Sequence, residues 1–331
     1  VAETAASGGS TGPDSFTWLR RQSRWSAFEI AFWLATLIPF FLFPTYLSLA
    51  SQIAITALFA VSVDLILGYA GIITLGHAMF FGIGAYAAGL LTRTGWGEPL
   101  SGLLAAAAIA GLVGYITSFM IVRVQHLALI MITLGLGLLT VELANSMTWL
   151  TGGADGLQGI DVWPIFNRFE FDLWGYTAYG YALIVLFVGV VVSRRLVHSP
   201  FGLSLRGIRE NVARMPAIGA PYRLRLQKVF TISAAIAGVA GALLAQTTET
   251  VSLESLGFQR SADVVVMLIL GGTGRLYGAV VGAIIFMVAR DQLADMNPQY
   301  WYFWIGLLLM AVVLFMPSGI LGGLARLAGN R

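Results

Sequence analysis

Cysteine is missing from all 331 residues, so no disulfide framework and no cysteine-based metal or thiol chemistry is open to this chain. Lysine is nearly missing. The single one, Lys228, follows Gln227 rather than glycine, so the phosphate-cradling G-x-x-x-x-G-K-S/T loop cannot be written. The three histidines, His77, His126 and His198, stand apart, which excludes an H-E-x-x-H metal site. A G-x-S-x-G match at 8–12 lies in a polar stretch, without the strand before it and the helix after it that a nucleophile elbow needs. These absences disfavour an enzyme. No cofactor and no metal is expected on the chain itself. Charge is scarce as well: 11% of residues carry it, against roughly 25% in soluble domains.

What fills the chain instead is apolar. It is 58% hydrophobic with a mean hydropathy of +0.82. The expected fold is an all-α polytopic membrane protein of about ten transmembrane helices, including broken or re-entrant segments. The net charge of +3 calls for no nucleic-acid partner, because the basic residues sit beside apolar runs, where topology and membrane lipid explain them.

Residues 1–25 read as a disordered cytoplasmic tail, small and polar at first, with no cleavable signal evident. Arg20, Arg21 and Arg24 then hold the N-terminus inside. Spans are expected at 28–47, with Pro39 and Pro44 kinking its outer half, at 52–68, within 67–91, at 99–122 and at 126–146. Further spans are expected at 178–192, 229–246 and 301–316. The acidic, tryptophan-bearing interval 149–177 and residues 248–262 fall outside. The stretch 263–290 is broken by GGTGRLYG at 271–278, and Arg275 draws that break toward the inside. Its two pieces, 263–271 and 277–290, are short for full spans. Both termini are cytoplasmic on this count, with a permease body at 26–320 and a C-terminal tail at 321–331.

The densest feature is the segment 199–228. Eight of the 19 Lys and Arg residues fall between Arg194 and Lys228, and within that interval only Glu210 opposes them. Ser199 can cap a helix and Pro200 suits its first turn. Gly219 followed by Pro221 is expected to stop it. The segment is either a basic loop lying on anionic lipid or a surface for a soluble partner.

Single polar residues inside apolar runs carry further expectations. His77 either lines a solute path or serves a helix break by bonding backbone. Asp64 is central enough to need a buried, hydrogen-bonded role, whereas Glu142 sits near a span end and reads as interfacial. Met79, Phe80 and Phe81 read as helix packing. The small residues of SAAIAGVAGALLA suit close helix contact, within the chain or between two copies through Gly238 and Gly241. Leu67–Gly71 and Leu270–Gly274 echo one another, each before a glycine-rich helix. Such paired breaks mark the central site of some transporters.

Four stretches together, LGYAGIITLGHAMFFGIGAYAAGLL (67–91), LTGGADGLQGI (150–160), LRGIREN (205–211) with AIGAPYRLRLQKVFTISAAIAGVAGALLA (217–245), and SLESLGFQRSADVVVMLILGGTGRLYGAVVGA (252–283), resemble the LivM-type permeases of branched-chain amino-acid ABC importers. The resemblance covers most of residues 50–320. It implies an inner-membrane complex with a LivH-like second permease, two cytoplasmic ATPase subunits that hold ATP and Mg, and a periplasmic substrate-binding protein. The segment 199–219 then corresponds to the ATPase-docking loop, with Arg206, Arg209, Glu210, Asn211 and Gly219 at matching positions. Arg214-Met215-Pro216-Ala217 replaces the small-residue and Glu stretch frequent there, so a helix end or bend is expected at Pro216. Thr74, His77, Phe80, Gly82 and Asp64 are the expected neighbours of the solute path. Two other readings stay open: the same kind of complex carrying urea, amides or aromatic acids, and an autonomous ion-coupled carrier using Asp64 or Glu142.

Overall fold

The computed structural model describes residues 27–42, 44–124, 127–165, 168–170, 172, 175–212, 214–217, 219–316 and 318–327. The expected N-terminal tail and the last residues of the C-terminal tail lie outside these, as does His126. Nearly everything described is helical. Among the described residues, seven segments are long and apolar enough to cross a membrane: Pro44–Ala70, Pro99–Ile121, Leu127–Ser146, Tyr176–Val197, Tyr222–Thr248, Leu276–Met296 and Trp301–Gly323. A shorter apolar helical stretch, Glu29–Leu42, precedes them.

The first expected span is broken. Helix α1 (Ala27–Ala35) gives way to α2 (Ile38–Leu42) and a 3₁₀ turn at Pro44–Tyr46. Pro39 cannot donate an N–H to the carbonyl four residues back, so the ladder fails just ahead of it, and Pro44 opens the turn. Helix α3 (Leu47–Asp64) is the axis of the fold: 89% of its span is buried, against 18% for the final apolar helix. Residues from Ala54 to Asp64 all point into protein, Phe59, Leu58 and Ile55 among them. A helix apolar on every side has its partners all around it.

Helix α3 winds into a π-helical stretch, Leu65–Ala70, which ends at Gly71. A non-helical segment at 72–77 then leads to α4 (Ala78–Arg93). Next come α5 (Pro99–Ile121), α6 (Leu127–Ser146), the single turn α7 (Thr148–Thr151), α8 (Tyr176–Val197), α9 (Pro200–Glu210), the short α10 (Arg214–Ala217) and α11 (Tyr222–Thr248). The last four are α12 (Phe258–Gly271), α13 (Leu276–Met296), α14 (Trp301–Phe315) and α15 (Gly319–Leu327). Helix α11 packs chiefly on α5 and α4. Its Gly238 and Gly241 are consumed there: a side chain at Gly238 would meet Ala110, and one at Gly241 would strike the Phe81 carbonyl. They are therefore used inside the chain, and pairing of two copies through them is excluded in this packing. Glu142 is exposed on α6, as its place near a span end suggests.

Toward the C-terminus, two of the sequence expectations need correction. Helix α13 runs on to Met296 rather than stopping near Arg290, so this second piece is long enough to span. Asp291 and Asp295 do not break it, because nothing before Asn297-Pro298 denies the backbone a helix. The expected C-terminal tail begins inside a helix, α15.

The polar loops meet at one end. Leu157 and Val251 exchange backbone hydrogen bonds of 2.8 and 2.9 Å. Nearby, the buried Gln246 amide accepts from the Tyr181 hydroxyl (2.9 Å) and donates to the Pro99 carbonyl (2.9 Å). At the other end lie α9 and the α12–α13 turn.

Candidate functional site

The start of α9 follows directly from its sequence. Ser199 takes an extended backbone conformation and its hydroxyl accepts from the Gly202 N–H at 3.4 Å, while Pro200 occupies the first turn. Gly202, Leu205 and Ile208 form the buried face. The end of α9 differs from expectation. It stops at Glu210, with Asn211 extended, ahead of both Pro216 and Gly219. The chain turns back because Met215 is buried against Gly207, and Pro216 falls inside the separate turn α10. The Asn211 side chain accepts from the Arg214 N–H at 3.2 Å. Gly219 is exposed with φ +73°.

Of the five expected docking residues, two reach into the membrane body. The Arg206 guanidinium lies 5.5 Å from the centre of the Tyr69 ring. The Arg209 Nη1 donates to the Gly68 carbonyl. Arg209 is itself exposed, as are Glu210, Asn211 and Gly219.

Arg209 lands on a junction of three elements. Gly68 belongs to the π-helical stretch, and Gly274 belongs to the α12–α13 turn. Asp64, fully buried at the foot of α3, accepts from the Gly274 N–H at 2.8 Å through Oδ1. Oδ2 of the same carboxylate has no partner among the described residues. A side chain on Gly68 would collide with Asp64 and with the Gly274 backbone, so only glycine permits this approach. The two segments that echo each other in sequence thus touch in space, with Arg209 on top of both.

A second buried cluster lies just up α3 from Asp64, between Ser62, about half a turn away, and Phe59, about one and a half turns away. The Ser233 hydroxyl donates to the Ser62 carbonyl (2.5 Å) and lies 3.0 Å from His77 Nε2. A hydroxyl has one proton, and here the carbonyl takes it. His77 Nε2–H is therefore the donor to Ser233 Oγ, which leaves Nδ1 a bare acceptor with no partner among the described residues. Phe59 stacks on the imidazole at 6.2 Å, and Phe80 and Phe230 meet it edge-on. The Ala78 N–H, the first of α4, donates to Ser261 of α12 at 2.9 Å. Thr74, His77, Phe80, Gly82 and Asp64 are all buried. A groove of about 510 Å³ lies elsewhere, lined by Tyr115, Phe201, Gln227 and Lys228 among others.

Sequence reasoning missed Ser62, Ser233 and Tyr69. The serines sit in small-residue runs that read as packing, and nothing linear links residue 62 to residue 233.

A model of the family described as branched-chain amino acid transport system, permease component, matches residues 45–313. The chain is 30% identical to the high-affinity branched-chain amino acid transport permease LivM of Escherichia coli K12, over 87% of this chain and 72% of the relative. It is 26% identical to LivH of the same strain, over 80% of this chain and 91% of the relative. A probable LivM of Methanocaldococcus jannaschii is 24% identical, over 79% and 89%. No solved structure matches.

Proposed function

The chain belongs to the permease components of branched-chain amino acid transport systems, and on that premise we propose that it moves such amino acids inward, driven by ATP hydrolysed on separate partner subunits. Similarity to LivM and LivH alike supports a pair of related permeases. The remaining partners in this reading are two cytoplasmic ATPases holding ATP and Mg and a periplasmic binding protein. The setting is a bacterial inner membrane with both termini cytoplasmic. About ten traversals follow: α1 with α2, then α3, α4, α5, α6, α8, α11, α12, α13 and α14. Helices α4 and α12 are short, and the segments at 72–77 and 249–257 outside them complete their crossings.

The observation that carries the coupling mechanism is the Arg209 contact with Gly68. The exposed Glu210, Asn211 and Gly219 offer the surface for an ATPase. Arg206 and Arg209 transmit its movement to the break below α3. A ligand-driven switch needs an element with two arrangements. The π-helical stretch, with one ladder register already altered and an uncommitted Asp64 oxygen beside it, supplies one. A solute path past Thr74, His77, Phe80, Gly82 and Asp64 requires that break to open, since all five are closed off in this conformation.

The test is purification of the complex from its native membrane followed by uptake of labelled leucine in vesicles with ATP. Co-purified ATPases and ATP-dependent uptake are expected. Uptake by this chain alone, driven by an ion gradient, would overturn the reading in favour of a secondary carrier. Arg209→Gln is expected to retain the ATPases and to lower uptake at least tenfold, since it cuts the link below the docking surface. Unchanged uptake would remove Arg209 from the coupling route.

A further inference from the structure

Four neighbouring contacts fix the depth of the segment that leads into α12. Leu157, which pairs with Val251, packs its side chain at Gly89. Leu256 lies against Gly82, and Ser261 bonds the Ala78 N–H. Residues 251–261 therefore descend alongside α4 in the opposite direction. Arg260 comes to rest with its guanidinium 5.0 Å from the centre of the Phe81 ring. Phe81 lies twelve residues short of the α4 end at Arg93, about 18 Å at the helical rise. Gly271, at the foot of α12, lies eleven residues past Arg260, about 16 Å the other way. Arg260 is thus near the middle of a bilayer whose hydrocarbon is about 30 Å thick.

Arg260 is not alone there. Asp263 lies one turn on and accepts from the exposed Gln259 amide at 2.9 Å. Arg290, across the α12–α13 hairpin and 5.2 Å from the Trp301 ring centre, acts electrostatically on both Arg260 and Asp263, as Glu254 does on Arg260. Arg260 and Asp263 are half-buried, while Glu254, Gln259 and Arg290 are exposed. Among the described residues none of these charges closes an ion pair; the one such pair is Arg194–Glu29, elsewhere. Both signs at mid-depth, open on one side and without a closed ion pair among the described residues, are not a lipid-facing surface.

We propose that this cluster is the wall this subunit contributes to an aqueous solute path, with Arg260 taking the carboxylate and Asp263 the ammonium of a zwitterionic amino acid. The inference deepens the transporter reading and rests on it. An α-amino acid carries both charges on neighbouring atoms, and Arg260 and Asp263, three residues apart on one helix face, present the complement. A guanidinium grips a carboxylate through two parallel hydrogen bonds. Urea and amides, which are neutral, have no use for the pair.

The cysteine-free sequence allows a direct test. Gln259→Cys and Asp263→Cys, each made singly in the assembled complex in its native membrane, are treated with charged, membrane-impermeant thiol reagents. Both sites are expected to react, with leucine slowing the reaction at Gln259→Cys, where the Arg260–Asp263 pair is intact, while Leu139→Cys on the exposed apolar face of α6 stays silent. Two sites as silent as the control, or reaction at Gln259→Cys indifferent to leucine, would overturn the proposal. The labelling needs no turnover, so it reads independently of whether the wild-type complex transports. In a transporting complex, Arg260→Gln is expected to lower uptake at least tenfold and Arg260→Lys to restore part of it. Full uptake with Arg260→Gln would also overturn the assignment.

Discussion

The Ser233 hydroxyl serves two buried groups at once, the Ser62 carbonyl and the His77 ring. Ser233→Ala leaves both unpaired among aromatic side chains, where no water replaces them. Each orphaned group costs about 1–3 kcal/mol, so a loss of at least about 2 kcal/mol is expected in unfolding measurements in detergent. Adding His77→Phe to that variant removes one orphan together with its partner. The double substitution should therefore cost less than the sum of the two single ones. Additive losses would mean that the serine and the histidine do not interact. The sequence pointed to His77, since an ionisable ring amid glycines stands out. It could not point to Ser233, because hydroxyls on small-residue helices usually bond their own backbone and leave no mark.

Helix α9 separates what a linear reading captures from what it loses. Its beginning is local chemistry, a capping hydroxyl and a proline in the first turn, and was legible. Its end is tertiary. Met215 docks under Gly207 and pulls the chain round before any helix breaker is reached. Ser199→Ala is expected to weaken the helix by about 1 kcal/mol. Amide hydrogen exchange over 200–210 would report it as faster exchange, and unchanged rates would show that packing of Leu205 and Ile208 alone holds the start. The same limit explains Arg260 and Asp263. A polar residue at the edge of an apolar run reads as a span boundary. Only the descent of 251–261 along α4 puts these charges in the middle.

For the whole molecule, α3 is the post around which the other helices stand, and α1 is tied on from outside. The tie is Glu29 to Arg194, 2.7 Å apart, with side chains only 16% and 8% exposed. Glu29→Gln takes the charged partner from a nearly buried guanidinium, and a stability loss of about 3 kcal/mol is expected. Exchanging the two residues, Glu29→Arg with Arg194→Glu, should recover part of it. Recovery of nothing would assign the cost to packing around Trp33 and Tyr277 rather than to the charges.

The junction at Asp64 also has a place in time. Its partner Gly274 lies 210 residues further along the chain. At about 5–20 residues per second of synthesis, some ten to forty seconds pass between the two. Through that interval the nascent protein holds a carboxylate in the membrane without the backbone N–H that receives it. The contact closes only when the α12–α13 turn has been made and delivered. Its formation thus marks the moment when an emerging chain becomes a finished one, and a half-made copy is chemically distinguishable from a complete one at a single buried oxygen.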